Sequence, residues 1–410
     1  MTGDAAPGGR GALVIGGDYR GLGIVRSIGR RGVPVWVAQH DDRLAGFSRY
    51  AARRVRWSVS SDAEQTERLL RFAHEHGLHG WVLFPTDDRV AAMISRNHAA
   101  LGQCYRLTTS PWEQYSVAQD KRLTYARADA LGIGVPATWY TESIEEVADL
   151  DLEYPVILKP ASGEIDNPLT QVKAWRVDDR ASLLTRYAEA AGFLRRGHVM
   201  IQEMVPGGGE CQLAFAAACR DGDARTYVSA RRTRQMPMDF GRASTFVETI
   251  DDPEVIDQGL RLVEDLRLTG LVEVEFKRDP RRGQLKVLDV NARSWGWHSL
   301  GPPAGADFSY VAWQLAMGEQ VERTQGRAGV RWVRLSTDVP TSVGEILAGR
   351  TTLRAYLRTL RPPLEGPIWA MDDPLPGLME FPTVGWHAGR RIATRAVRRN
   401  IDRGSRRRAA

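Results

Sequence analysis

The chain has 410 residues, 43% apolar and 26% charged, with a formal net charge of +6. That is enough chain for two or three folded domains and the wrong composition for a disordered or low-complexity protein. The charge is concentrated: from Arg390 to Arg408 nine arginines face one acid, Asp402, a local charge of +8 that leaves the remainder at −2. A basic tail on a slightly acidic body is not the distributed basic face of a nucleic-acid-binding domain, so no specific nucleic-acid partner is expected. The tail stretch from Arg391 to Ile401 is weakly amphipathic and a candidate for light contact with a membrane surface. No apolar run approaches the ~20 residues that cross a bilayer, and the N-terminus has no signal-peptide core. Three cysteines (Cys104, Cys211, Cys219) without a C-x-x-C pair argue against a disulfide framework and a thiolate metal site. Cytoplasmic residence is the expectation, and a homo-oligomer is compatible with it.

In chain order, Gly11 to Gly16 is a buried-strand run, followed by a glycine-rich turn (Gly16, Gly17, Gly21, Gly23) and a helix from Ile24 to Arg31. Val33 to Ala38 is a second strand, Ala63 to His76 a helix and Trp81 to Phe84 a third strand, the pattern of an open parallel sheet. The turn is not G-x-G-x-x-G, so tight strand-to-helix packing explains its glycines at least as well as a dinucleotide does. Asp18, Thr86 and Asp87 lie at the carboxyl ends of these strands, where open sheets bind ligands, and are loose substrate candidates.

A second unit starts near residue 116. Asp120 to Leu131 is a helix, Tyr154 to Pro160 a strand whose one cation is Lys159, Ala181 to Leu194 a helix, and Val199 to Val205 a strand running into Pro206-Gly-Gly-Gly and Glu210. Strands are expected over 211–219 and 224–230, and a helix over 253–266. Next come two runs separated by Asp279-Pro-Arg-Arg-Gly283, a turn that favours antiparallel pairing. Glu273 and Glu275 alternate on the first run; Asp289, Asn291 and Arg293 alternate on the second. Period-2 geometry brings these groups to one patch. Acid and amide oxygens there suit magnesium, which takes few protein ligands and completes its shell with water and phosphate oxygens.

Lys121, the lysine of Pro-Val-Ile-Leu-Lys159-Pro, Gln202-Glu203 followed by Pro-Gly and Glu210, and the hairpin ending in Asp289-x-Asn291-x-Arg293 occur in this order over residues 10–320. The set resembles the ATP-grasp superfamily, specifically its carboxylate–amine ligases related to D-alanine–D-alanine ligase and carbamoyl-phosphate synthetase. The resemblance implies that Lys121 and Lys159 hold the ATP phosphates. Gln202, Glu203, Met204 and Val205 would form the segment facing adenine, with Glu210 on the ribose. It also implies Mg2+ (or Mn2+) on Glu275, Asp289 and Asn291, with Glu273 ranked lower, and Arg293 beside the transferred phosphoryl group. Arg232 and Arg234, from the cluster Arg231-Arg-Thr-Arg234, are candidates for contact with phosphate or a substrate carboxylate, and Arg234 is a further catalytic candidate. One departure is the loop after Lys159: it is glycine-poor, so closure over ATP would rely on Ser162, Gly163 and Lys173 or need the second substrate bound.

The expected fold is α/β, with an α+β ATP-grasp part. Residues 1–115 form an open parallel-sheet domain, 116–198 a small lobe, 199–321 a large lobe with the metal site, 322–385 an irregular extension and 386–410 a basic tail. The implied activity is ligation of a carboxylate to an amine through an acyl phosphate, with small-molecule substrates. Alternatives are kinase or acid–thiol ligase chemistry, or a nucleotide-binding scaffold tethered by its tail.

Overall fold

The computed structural model describes residues 9–57, 61–161, 169, 174–194, 198–238, 240–241, 243–380 and 382. Its first sheet is built from β1 (Ala12–Ile15), β2 (Val35–Gln39), β3 (Ala51–Arg56), β4 (Val82–Pro85) and β5 (Arg106–Leu107), in the order β3-β2-β1-β4-β5. All four pairings are parallel. The central strand β1 is covered on both faces, which is why it reads as an unbroken apolar run. Leu13 and Ile15 pack with Leu69 of the helix Asp62–His76, while Ala12 and Val14 pack with Leu22 and Ile24 of the helix Tyr19–Gly29. The glycines after β1 are packing glycines. A Cβ on Gly16 would lie 1.7 Å from the Thr86 hydroxyl, and one on Gly23 would lie 2.7 Å from the His298 ring.

The second sheet is antiparallel: β6 (Thr138–Tyr140), β7 (Val156–Pro160), β8 (Trp175–Val177) and β9 (Val199–Glu203), ordered β6-β9-β7-β8. β9 pairs with both β6 and β7, so it completes the small lobe. The boundary expected at residue 199 therefore falls one strand too early.

The third sheet contains β10 (Gln212–Arg220), β11 (Asp223–Met236), β12 (Ala243–Ile250), β13 (Gly270–Arg278), β14 (Leu285–Asn291), β15 (Thr324–Gln325), β16 (Arg331–Val333) and β17 (Leu364–Glu365). Its order is β14-β13-β10-β11-β12-β16-β17, with β15 on β11. Residues 322–385 were expected to be irregular, yet they supply three of these strands and the helices Leu335–Leu347 and Leu353–Thr359. The extension is also bolted to the first domain. Buried Asp373 accepts from Arg26 at 2.9 Å, Ser48 at 2.7 Å and the Arg49 amide at 2.9 Å. Short strands with turn-rich flanks carry little sequence periodicity, and their pairing partners lie far away in the chain.

The large sheet has two unlike faces. One buries Phe215, Val272, Val274 and Phe276 against Val255 and Leu262 of the helix Pro253–Asp265. The other carries Ala214, Ala216 and Ala230, small enough for Phe308 and Ala312 of the helix Phe308–Ala316 to approach. Towards β14 this second face turns polar.

Candidate functional site

A cavity of about 860 Å³ opens over that polar face, lined by residues of the second and third sheets, of two helices of the first domain and of the C-terminal extension. β13 and β14 pair antiparallel with Glu273 opposite Asn291 and Glu275 opposite Asp289. The four side chains therefore share one face, as their alternation predicts. Asn291 Nδ2 donates to Glu273 at 3.0 Å and to Glu275 at 3.2 Å, so the amide nitrogen stands between two carboxylates. Its oxygen accepts from Arg293 at 3.0 Å; reaching a cation between the carboxylates with that oxygen requires the amide to rotate.

Cations neutralise the acids. Lys121, one residue past the Asp120 cap of its helix, donates to Asp289 at 2.7 Å. Burial opposes charge on Lys121, but Asp289, with Glu275 and Asp88, more than offsets this and raises its pKa. Arg232 Nη1 lies 2.6 Å from Glu275 and 3.9 Å from Glu273. Arg293 grips Asp88 through two bonds of 2.8 and 2.9 Å, joining the first domain to the hairpin. Glu273 lies deepest, 3% exposed, and accepts from Trp297 Nε1 at 2.7 Å. Burial pushes its carboxyl well above the ordinary carboxylate range despite the pull of Arg232. Glu275 is less buried and, like Glu273, lines the cavity.

The nucleotide-side candidates line the same cavity from the small lobe. Lys159, 9% exposed, approaches the Tyr125 hydroxyl at 3.3 Å, and Gln202 donates to the same hydroxyl at 3.2 Å. Glu203 is ion-paired with Lys286, and Glu203, Met204 and Val205 line the cavity where β9 leaves the small sheet. Ser162, Gly163 and Lys173 lie outside the described residues.

Three expectations are corrected. Arg234 is not in the cavity: its guanidinium holds Asp338 at 2.8 and 2.9 Å and lies over the Phe246 ring at 4.2 Å. A bulge is the cause. Arg231 pairs with Glu248 and Arg234 with Phe246, so three residues on β11 oppose two on β12 and the side chains change face. Arg232 therefore occupies the cavity position. Glu210 is exposed, accepts from the Gly208 amide at 2.9 Å, and is not among the cavity-lining residues, whereas Gly207 to Gly209 are. Asp18 and Asp87 cap helices, and Thr86 donates to the Ile15 carbonyl from a buried position. Asp88, next in sequence, is the one that lines the cavity.

Lys286 was missed because of another irregularity of register. A register shift between Glu275 and Phe276 places Val287 opposite Phe276 and Lys286 opposite Lys277. Strict alternation from Asp289 would have put Val287, not Lys286, on the polar face. Tyr125 carries no sequence signal beyond its place on a lysine-bearing helix.

No family model matches the chain. The D-aspartate ligase of Enterococcus faecium (strain Aus0004) is 23% identical over 305 residues, 68% of this chain and 70% of that one. Among solved structures, the L-amino acid ligase from Bacillus licheniformis aligns with a TM-score of 0.61 at 15% identity, over 77% of this chain and 76% of that chain. The ADP complex of an N5-carboxyaminoimidazole ribonucleotide synthetase aligns with a TM-score of 0.63 at 14% identity, over 85% and 88% of the two chains. The chain shares the fold of these two solved enzymes.

Proposed function

We propose that this chain is an ATP-dependent, ADP-forming ligase that joins a carboxylate to an amine. The observation that carries the reading is the register of β13 and β14, which sets Glu273, Glu275, Asp289 and Asn291 on one cavity face with Lys121, Arg232 and Arg293 around them. Every donor in that set is an oxygen or can present one, the chemistry a magnesium ion accepts. Glu275, Asp289 and Asn291 would hold it, and when bound it offsets charge on the phosphates.

The chain's own part is positioning and charge stabilisation. Lys121 and Lys159 come from different elements of the small lobe and converge on the cavity, as two mobile ammonium groups gripping a polyphosphate would. Glu203, Met204 and Val205 lie at the junction between lobes and would receive the base. Arg293 is fixed by Asp88 and Asn291, so its guanidinium is already oriented and little is lost in ordering it. In the proposed reaction a substrate carboxylate oxygen attacks the γ-phosphorus and ADP leaves. The amine then attacks the acyl phosphate, a C–N bond forms, and phosphate departs. The D-aspartate ligase and L-amino acid ligase likenesses favour an amino acid as one substrate.

The test is an ADP-release screen over amino acids and other carboxylates with and without magnesium, repeated with hydroxylamine in place of the amine. Hydroxamate formation is expected because only an activated acyl group yields it. ADP release with a hydroxyl substrate and no hydroxamate would turn the assignment to a kinase.

A further inference from the structure

One cluster of ligating side chains lies in the first domain, apart from the cavity. A ring nitrogen of His74, a ring nitrogen of His79 and the sulfur of Cys104 all lie within 4.8 Å of one another, and none of the three residues lines the cavity. His74 sits in the last turn of the helix Asp62–His76, which Gly77 ends in the left-handed region at φ 64°. The Leu78 amide returns to the Ala73 carbonyl at 3.0 Å and Leu78 is buried, so the chain doubles back and sets His79 beside His74. Cys104 comes from the segment just ahead of β5, and the Gly80 amide donates to its carbonyl at 2.8 Å, which locks the two segments together. The backbone around all three residues is therefore fixed by bonds independent of any ligand, and an ion has little left to order.

Distance and chemistry select the ion. His79 Nε2 stands 3.3 Å from His74 Nδ1. Two nitrogens bound tetrahedrally to one zinc ion at about 2.0–2.1 Å are about 3.3–3.4 Å apart, so the rings already span one edge of such a site. A thiolate at about 2.3 Å from the same ion would stand roughly 3.6 Å from each nitrogen, leaving the sulfur little more than about 1 Å to close. Both histidines are exposed, which gives an ion a way in and leaves the fourth position to water. Cys104 is 6% exposed, and among the described residues no hydrogen bond engages its thiol. The carbonyl end of the helix favours a cation beside His74. Two imidazoles and a thiolate suit zinc, whereas magnesium takes oxygen, so this cluster and the carboxylate hairpin choose different ions.

We propose that His74, His79 and Cys104 form a zinc site with water as its fourth ligand, tying the end of the helix Asp62–His76 to the edge of the first sheet. On binding, each imidazole gives a nitrogen lone pair, and the thiol releases its proton to solvent as the zinc–sulfur bond forms. The chain has no C-x-x-C pair, and these ligands, 5 and 25 positions apart, meet only through the helix cap and the connection from β4 to β5.

The test is titration of the reduced, metal-free full chain with Co2+ in the absence of nucleotide, followed by displacement with Zn2+. A thiolate-to-cobalt charge-transfer band and the intense visible bands of a tetrahedral ion are expected, and zinc should abolish both. His79→Ala, at an exposed position that leaves the fold intact, should weaken zinc binding about 100-fold or more, because losing a group that merely orients a ligand already costs about 10–100-fold. Cys104→Ser should remove the charge-transfer band. A pale, oxygen-ligated cobalt complex in the wild type would overturn the proposal. So would a charge-transfer band that survives in Cys104→Ser, which would place the thiolate at Cys211 or Cys219, or zinc affinity unchanged in His79→Ala.

Discussion

Arg232 and Arg234 are two residues apart on one strand, both buried and both paired with carboxylates, yet they belong to different parts of the molecule. Arg234 meets a single carboxylate that accepts its fork squarely, with Thr359 on its third nitrogen and aromatic rings against its planes. Nothing is left for a ligand to use. Arg232 faces two carboxylates at unequal distances on a cavity wall, beside Lys121 and Asn291. That cluster has more acids than one cation can satisfy, and a guest cation or phosphate can rearrange it. A buried ion pair closed on all sides holds structure together; the same pair left open beside a cavity is a site.

The sharpest way to break this contrast is Asp289→Ala. Loss of a proposed metal ligand should lower ADP release by about 10³-fold, while thermal unfolding moves little because the residue is partly exposed at the cavity wall. Turnover within a few-fold of wild type would remove the site from the hairpin. On the closed side, Asp338→Ala strands a buried guanidinium and should cost about 3–5 kcal/mol in urea unfolding. Replacing both partners (Arg234→Met with Asp338→Leu) should recover most of that loss, and the folded fraction should turn over normally.

A smaller effect tests the wall between the first domain and the site. His298 is buried, with Nε2 bonded to the Arg20 carbonyl at 2.9 Å and Nδ1 beside Ser309 at 3.3 Å. The carbonyl only accepts, so Nε2 carries the proton and Nδ1 accepts from the hydroxyl. Burial lowers its pKa to about 4. The unfolded chain, with an ordinary histidine, binds a proton below about pH 6.5 that the folded state refuses. Stability should therefore fall by up to about 3 kcal/mol as pH drops from 6.5 towards 4, and His298→Gln should lack that component. Smallest of all is Arg350→Ala at the cavity rim. Its pair with Glu345 is solvent-screened, so the change in unfolding free energy should stay below about 1 kcal/mol. A larger loss would mean the extension is held by this contact rather than by Asp373.

The hairpin shows how far alternation reaches. Glu273, Glu275, Asp289 and Asn291 were placed on one face by spacing alone, because no register shift falls between the members of either run. The shift sits just after Glu275, and beyond it alternation fails: Lys286 joins the polar face against expectation. The bulge on β11 does the same to Arg234. The strands of 322–385 were illegible for another reason, since two or three residues cannot display a period and their pairing is long-range.

Residue chemistry and period 2 by themselves determined the parallel N-terminal sheet, the small-lobe lysines and the carboxylate face, because each depends on contacts within a few residues or on one turn. Which arginine faces the cavity, that Glu273 lies buried under Trp297, and that the helix Leu335–Leu347 turns Leu335, Val339, Val343 and Leu347 to solvent were decided only by tertiary structure. A bulge adds one residue and reverses a face, and a buried Arg–Asp pair can outweigh the amphipathic preference of the helix that bears it. Neither event leaves a mark in the local sequence, because both depend on a partner strand or side chain many residues away.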